Sequence, residues 1–216
     1  EHVGSRLHVC HLSTAGSVDI IRWAKKRGIN VTAEVTPHHL LLTDDLVRGY
    51  DARFKVNPPL RREEDVMAVR EGLADGTIDI VATDHAPHPV ETKSCEWQAA
   101  AHGMVGLESA LRVVQVAMVD TGLLEWTDVA RVFSKTPAQI GSLSGHGTPL
   151  AVGQPAEFTL YDPSVGATFG TGDLHGRSAN SPYLGRELPG RVMWTIHRGY
   201  PTLADGVLVD AAEVAS

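Results

Sequence analysis

The feature that most constrains this chain is a rhythm: short apolar runs alternate with amphipathic segments, and each run stops at a polar cluster. Leu7 to Cys10 runs into His11. Ile29 to Val35, rich in β-branched residues, runs into Thr36-Pro37-His38-His39, and Ile78 to Thr83 runs into Asp84-His85-Ala86-Pro87-His88. Apolar runs of this length bounded by turn signals read as buried strands. Ser13 or Ser17 can cap a helix that carries Val18, Ile21 and Ala24 and closes at Gly28. A second helix is expected from about Arg62 to Ala74, with Glu63, Glu64 and Asp65 in its first turn and Val66, Val69 and Leu73 as its stripe. Strand, helix, strand, helix, strand with short links is a parallel α/β pattern, whose sites lie at the carboxyl ends of the strands.

The expected fold class is therefore α/β: part of a (β/α)8 TIM-type barrel plus a small carboxy-terminal β appendage. A whole barrel takes about 250 residues, and only the first part of these 216 residues has the α/β texture. A long helix from about Gly106 to Asp120 and shorter ones from near Thr127 and Thr136 complete that part. From Gly145 onward Gly and Pro become frequent. Alternating runs such as Glu157–Tyr161 and Arg191–Ile196 then read as antiparallel strands. The expected division is residues 1–145 as the last units of a barrel and 146–216 as part of a small β domain.

With 19 basic and 26 acidic residues the formal charge is −7, which argues against nucleic acid or an anionic membrane as partner. No apolar run reaches the roughly 18 residues of a spanning helix, and the first residues do not read as a signal peptide. The two cysteines, Cys10 and Cys95, form no CxxC pair, which suits a reducing cytoplasm and predicts inert core thiols. Neighbours in a strand face opposite sides, so Cys10 and His11 are not expected to work as a nucleophile pair. No GxSxG, GxGxxG or P-loop motif occurs.

Asp84 leaves the end of the clearest buried strand. Alone it would be read as a cap or turn residue, but His85, Pro87 and His88 crowd imidazoles around it, and a cation would relieve its burial. His11 ends another strand, where a structural histidine and a metal ligand are both in keeping with the position. Of His38 and His39, one is expected to hydrogen-bond its loop, and neither is assigned to a metal. Asn57, between Val56 and two prolines, is open to a substrate contact or to loop shaping.

Four blocks carry a likeness: His8-Val9-Cys10-His11-Leu12-Ser13-Thr14, Val31 to Leu40, Lys55-Val56-Asn57-Pro58-Pro59-Leu60-Arg61, and Ala82-Thr83-Asp84-His85-Ala86-Pro87-His88. In order and spacing they resemble the carboxy-terminal part of bacterial type I dihydroorotases, members of the amidohydrolase superfamily of metal-dependent cyclic-amide hydrolases. The resemblance implies a site with two zinc ions at the barrel mouth. His11 would ligate one ion, and Asp84 would ligate the other and serve as general base and acid. Asn57, His88, His102 and Gly103 would contact substrate, although His102 stands where the family pattern usually has an aromatic residue. The implied reaction is the reversible cyclisation of N-carbamoyl-L-aspartate to dihydroorotate in pyrimidine biosynthesis.

The His-x-His pair, the bridging carboxylate, the further histidine ligand and the substrate-binding Arg of that family would lie upstream of Glu1. Two zinc ligands on different ions do not fix a binuclear centre, so the 216 residues alone are expected to bind zinc weakly and to show no turnover. Two other readings remain: another cyclic amidase, such as a hydantoinase or allantoinase, or a catalytically inactive dihydroorotase-like subunit. The resemblance allows a homodimer or association with aspartate transcarbamoylase. An open half-barrel is also expected to associate through its unpaired edges.

Overall fold

The computed structural model describes residues 1–210. Strand β1 (Leu7–Val9) leads to helix α1 (Ala15–Lys26), strand β2 (Val31–Val35), helix α2 (Glu63–Ala74) and strand β3 (Ile80–Val81). The strands are parallel in the order β1-β2-β3, with Leu7 opposite Val31 and Glu34 opposite Ile80. This is an unclosed part of a barrel with β1 and β3 at its edges. Each strand is shorter than its apolar run. The backbone turns left-handed at His11 (φ 56°) and Asp84 (φ 48°), so both residues leave the ladder. Such conformations in non-glycine residues persist where surrounding contacts hold them, and they gather at functional sites.

Thr14, rather than Ser13 or Ser17, caps α1: its extended backbone lets its hydroxyl accept from the Ser17 amide at 3.2 Å. Gly28 (φ 75°) ends the helix as expected. Val18, Ile21 and Ala24 face inward against Val69, Leu73 and Ile78. The two helices approach closely because α2 offers Gly72 at the contact, where a Cβ would stand 2.9 Å from Val18 Cγ1. Asp79 anchors the layer beneath, accepting from Lys25 Nζ and the Ala33 amide at 2.8 Å each.

After β3 come the short helix α3 (Val90–Lys93), α4 (Ala110–Val114), α5 (Trp126–Ala130) and α6 (Thr136–Ile140). The helix expected from Gly106 begins only at Ala110. The Gly106 and Leu107 amides point instead at His85 Nδ1, at 3.1 and 3.3 Å, which holds that turn out of the helix. Beyond Val114 it continues as π-helical turns over Gln115–Val119. Among the described residues no helix is long and apolar enough to cross a membrane.

The carboxy-terminal segment forms an antiparallel sheet, β4 (Phe158–Thr168), β5 (Glu187–His197), β6 (Tyr200–Ala204) and β7 (Val207–Leu208), in that order. Phe169, Tyr183 and Leu188 pack into one cluster with Phe54, Val56, Met104 and Val113. The buried Arg112 guanidinium donates to the Leu188 and Ala167 carbonyls, joining α4 to this segment. The cysteines depart from expectation, since both are exposed. Cys10 lies just past the end of edge strand β1, where no fourth strand covers it among the described residues.

Candidate active site

Strand periodicity places Thr32 and Glu34 on one face of β2, opposite the face of Ala33 and Val35, which are fully buried in the core beneath the helices. His8 of β1 crosses to that polar face. Its Nδ1 lies 2.7 Å from Thr32 Oγ1 and its Nε2 3.0 Å from Glu34 Oε2. Glu34, itself buried, has its other oxygen 2.8 Å from His11 Nδ1. That contact is a close approach of charge to ring rather than an aligned hydrogen bond, since the buried Nδ1 has no well-directed partner. The far nitrogen of the same ring, Nε2, stands 3.7 Å from Asp84 Oδ1.

The two residues singled out as metal ligands thus converge from the ends of β1 and β3. A gap of 3.7 Å between a nitrogen and a carboxylate oxygen exceeds a hydrogen bond, and it is about the separation of two donors on one ion or on adjacent ions. The imidazole and carboxylate donor set fits zinc, and Glu34 beside Nδ1 is the kind of carboxylate that orients a ligating imidazole. His11 and Asp84 therefore fit such a centre but supply only part of its coordination. Cys10 also borders this mouth. The turn at His11 breaks strand alternation, so the thiol does not face away from it: burial first, then Glu34 and Asp84, raise the Cys10 pKa.

His39 is the structural member of its pair. Its Nδ1 lies 2.7 Å from Thr36 Oγ1 and its Nε2 3.1 Å from the Pro58 carbonyl. Burial pulls its pKa down to about 4 against the opposing pull of the Pro58 carbonyl. Burial, then the neighbouring His39 and His11, holds His38 neutral. Its buried Nε2 has no hydrogen-bond partner among the described residues.

The second wall of the site is built differently. His88 Nε2 donates to the His102 carbonyl at 2.8 Å, and Gly103 (φ 122°) lies directly beneath. A Cβ on Gly103 would sit 2.6 Å from Ala86 Cβ and 3.2 Å from His88 Nε2, so this corner closes only around glycine. Its amide donates to the Lys55 carbonyl at 2.8 Å, and its carbonyl accepts from Lys93 Nζ at 2.8 Å and Asn180 Nδ2 at 3.3 Å.

Two buried lysines hold the loop that leads there. Lys55 Nζ donates to the Trp97, Gln98 and Ala100 carbonyls at 2.6, 3.1 and 2.7 Å. Lys93 Nζ also reaches the Ala101 carbonyl at 2.9 Å. Burial, then the positive charge of Lys55, lowers the Lys93 pKa to about 8. Asn180 completes the corner, accepting from the His88 amide at 3.2 Å and donating to the Ala86 carbonyl at 2.9 Å. Asn57 is exposed near this loop, and His102 is exposed at its turn.

Sequence reasoning missed Glu34, Lys55, Lys93 and Asn180. Only Glu34 left a signal: an acid alternating with Thr32 on an otherwise apolar strand. The lysines and Asn180 sit in segments whose composition marks them as ordinary solvated loop.

Residues 1–192 match the amidohydrolase family profile. The chain belongs to the amidohydrolase family. Among its relatives, the dihydroorotase of Leifsonia xyli subsp. xyli is 71% identical over 98% of this chain and 48% of its own length. That of Streptomyces coelicolor is 66% identical over 96% of this chain and 49% of its own. Solved structures with the same fold include a D-hydantoinase (dihydropyrimidinase) from Thermus sp., at TM-score 0.88 and 27% identity, covering 96% of this chain and 47% of that one. An L-hydantoinase from Arthrobacter aurescens superposes at TM-score 0.86 and 29% identity, covering 97% and 47%. The amidohydrolase chain spans about half the length of the curated relatives it matches.

Proposed function

We propose that this chain provides the carboxyl-side half of a dihydroorotase active site, acting in the reversible cyclisation of N-carbamoyl-L-aspartate to dihydroorotate. The observation that carries the reading is the convergence of His11 Nε2 and Asp84 Oδ1, 3.7 Å apart, at the ends of two strands of one parallel sheet. Its support from relatives is the identity of 71% and 66% to two dihydroorotases. Zinc held by His11 and Asp84 together with ligands from outside this chain would make water available as hydroxide near neutral pH and polarise the amide carbonyl.

The chain's own groups divide the remaining work. In the hydrolytic direction Asp84 Oδ1 accepts the proton of the attacking water and delivers it to the ring nitrogen as the C–N bond breaks; cyclisation runs the same transfer backward. Glu34 keeps the His11 ring from turning its Nε2 away from the mouth. His88 already donates through Nε2 to the His102 carbonyl, so Nδ1 is the ring atom left to help hold the substrate's carboxylate end. Gly103 gives both its backbone groups to the protein and shapes the pocket floor. Asn57 and His102, both exposed, contact the substrate's polar edge.

Joining this chain to the amino-terminal half of the Leifsonia relative gives the protein in which to test this. Hydrolysis of dihydroorotate is expected to exceed that of hydantoin and allantoin by about 10,000-fold or more, the margin expected where a site is built to hydrogen-bond a substrate group the competitor lacks. Equal or greater rates on hydantoin would assign the site to the hydantoinases instead. The 216 residues alone are expected to show no turnover.

A further inference from the structure

We propose that His8, Cys10 and Glu34 form a separate binding site for a soft or borderline divalent cation, such as zinc, cadmium or cobalt(II), beside the His11–Asp84 mouth. One donor atom from each of the three residues lies within 4.8 Å of the others. Donors bound tetrahedrally at zinc distances stand about 3.4–3.8 Å apart, so the three would draw together by about 1 Å on binding an ion.

Each donor is already prepared for this role. His8 Nδ1 lies 2.7 Å from Thr32 Oγ1. Without an ion, Nε2–H donates to Glu34 Oε2 at 3.0 Å; in the other tautomer Nδ1 donates to Thr32 and Nε2 is the ring atom that ligates, held by that outer partner. Cys10 follows β1 directly, two residues after His8, and its sulfur lies within the donor cluster that His8 and Glu34 form. A thiolate, imidazole and carboxylate set selects zinc-like ions over magnesium or calcium. Binding forms bonds from the metal to Sγ, Nε2 and Oε2, and the thiol proton passes to solvent.

Glu34 links this site to the mouth. One of its oxygens faces His8 and the other lies 2.8 Å from His11 Nδ1. An ion drawing Oε2 toward Cys10 therefore turns the carboxylate that steadies His11. Cation binding stands on its own geometry. The further consequence, inhibition by soft cations, rests on the dihydroorotase reading.

The test is a cobalt(II) titration followed through the near-ultraviolet thiolate-to-cobalt charge-transfer band. It is run on the 216-residue chain and on the same chain completed by the Leifsonia amino-terminal half, so that poor folding of one does not decide the outcome. The band is expected in at least one protein. It should be lost in Cys10→Ser, weakened at least 10-fold in affinity in His8→Asn, and kept in Cys95→Ser and in Asp84→Asn. No band in either protein overturns the proposal, as does a band that survives Cys10→Ser. A band that disappears with Asp84→Asn makes the thiol a ligand of the mouth and overturns the separate site. Because the readout is spectroscopic, loss of dihydroorotase activity leaves the result interpretable.

Discussion

The two walls of the candidate site satisfy their polar groups in opposite ways. On the β1–β2 side, His8, Glu34 and His11 lean on one another, yet His11 Nδ1 lacks an aligned partner and Asp84 stops 3.7 Å short of His11 Nε2. On the Gly103 side, two ammonium groups and one amide are matched to backbone carbonyls almost donor for donor. Buried polar groups are ordinarily hydrogen-bonded, so an incompletely satisfied wall is where a ligand is to be expected. The closed wall holds shape, and the open wall holds donors in reserve.

If that contrast is right, damage to the closed wall should appear as lost stability and damage to the open wall as lost ligand binding. Gly103→Ala carries the largest expected cost, about 3 kcal/mol, because the added Cβ meets Ala86 at 2.6 Å in a left-handed backbone. The urea midpoint of the completed protein measures it. Asn180→Ala should follow at about 2 kcal/mol by the same measurement. It removes the bonds to the Ala86 and Gly103 carbonyls and the acceptor of the His88 amide.

Lys93 gives the closed wall a pH signature. Its folded pKa of about 8 lies below the ordinary 10.5, so between those values the unfolded chain holds the proton more tightly than the folded one. Stability contributed by this group therefore rises with pH across that window, on the order of 2 kcal/mol. Denaturant midpoints from pH 7 to 10.5 should show the rise in the parent and a flatter profile in Lys93→Met. The smallest effect on stability belongs to the open wall. Glu34→Gln keeps the shape of the side chain and should shift the midpoint by less than about 1 kcal/mol, while weakening metal binding at His11 by about 10-fold or more. A large loss of stability in Glu34→Gln would erase the distinction between the walls.

How far the sequence could be read follows the same line. Strand ends are local: an apolar run that stops at His11 or Asp84 marks where the backbone meets the mouth, and both residues fall there in the structure. The parallel order of the three strands follows from the helices between them. Where each strand would stop was not legible, because the left-handed turns at His11 and Asp84 are imposed by tertiary contacts. The start of α4 depended on His85 capturing two amides 21 and 22 residues away. Cys10 looked like core because it follows an apolar run, yet its thiol is exposed beside the mouth. The lysine cages and Asn180, which lies 92 residues from His88, exist only once distant loops have met.

The most direct test of the central claim is the zinc content and dihydroorotate hydrolysis of the completed protein, compared with its His11→Asn and Asp84→Asn variants. The account predicts two zinc ions per chain, at least one lost in each variant, and a fall in kcat of about 1,000-fold or more for Asp84→Asn. Full zinc content with undiminished turnover in either variant would contradict it.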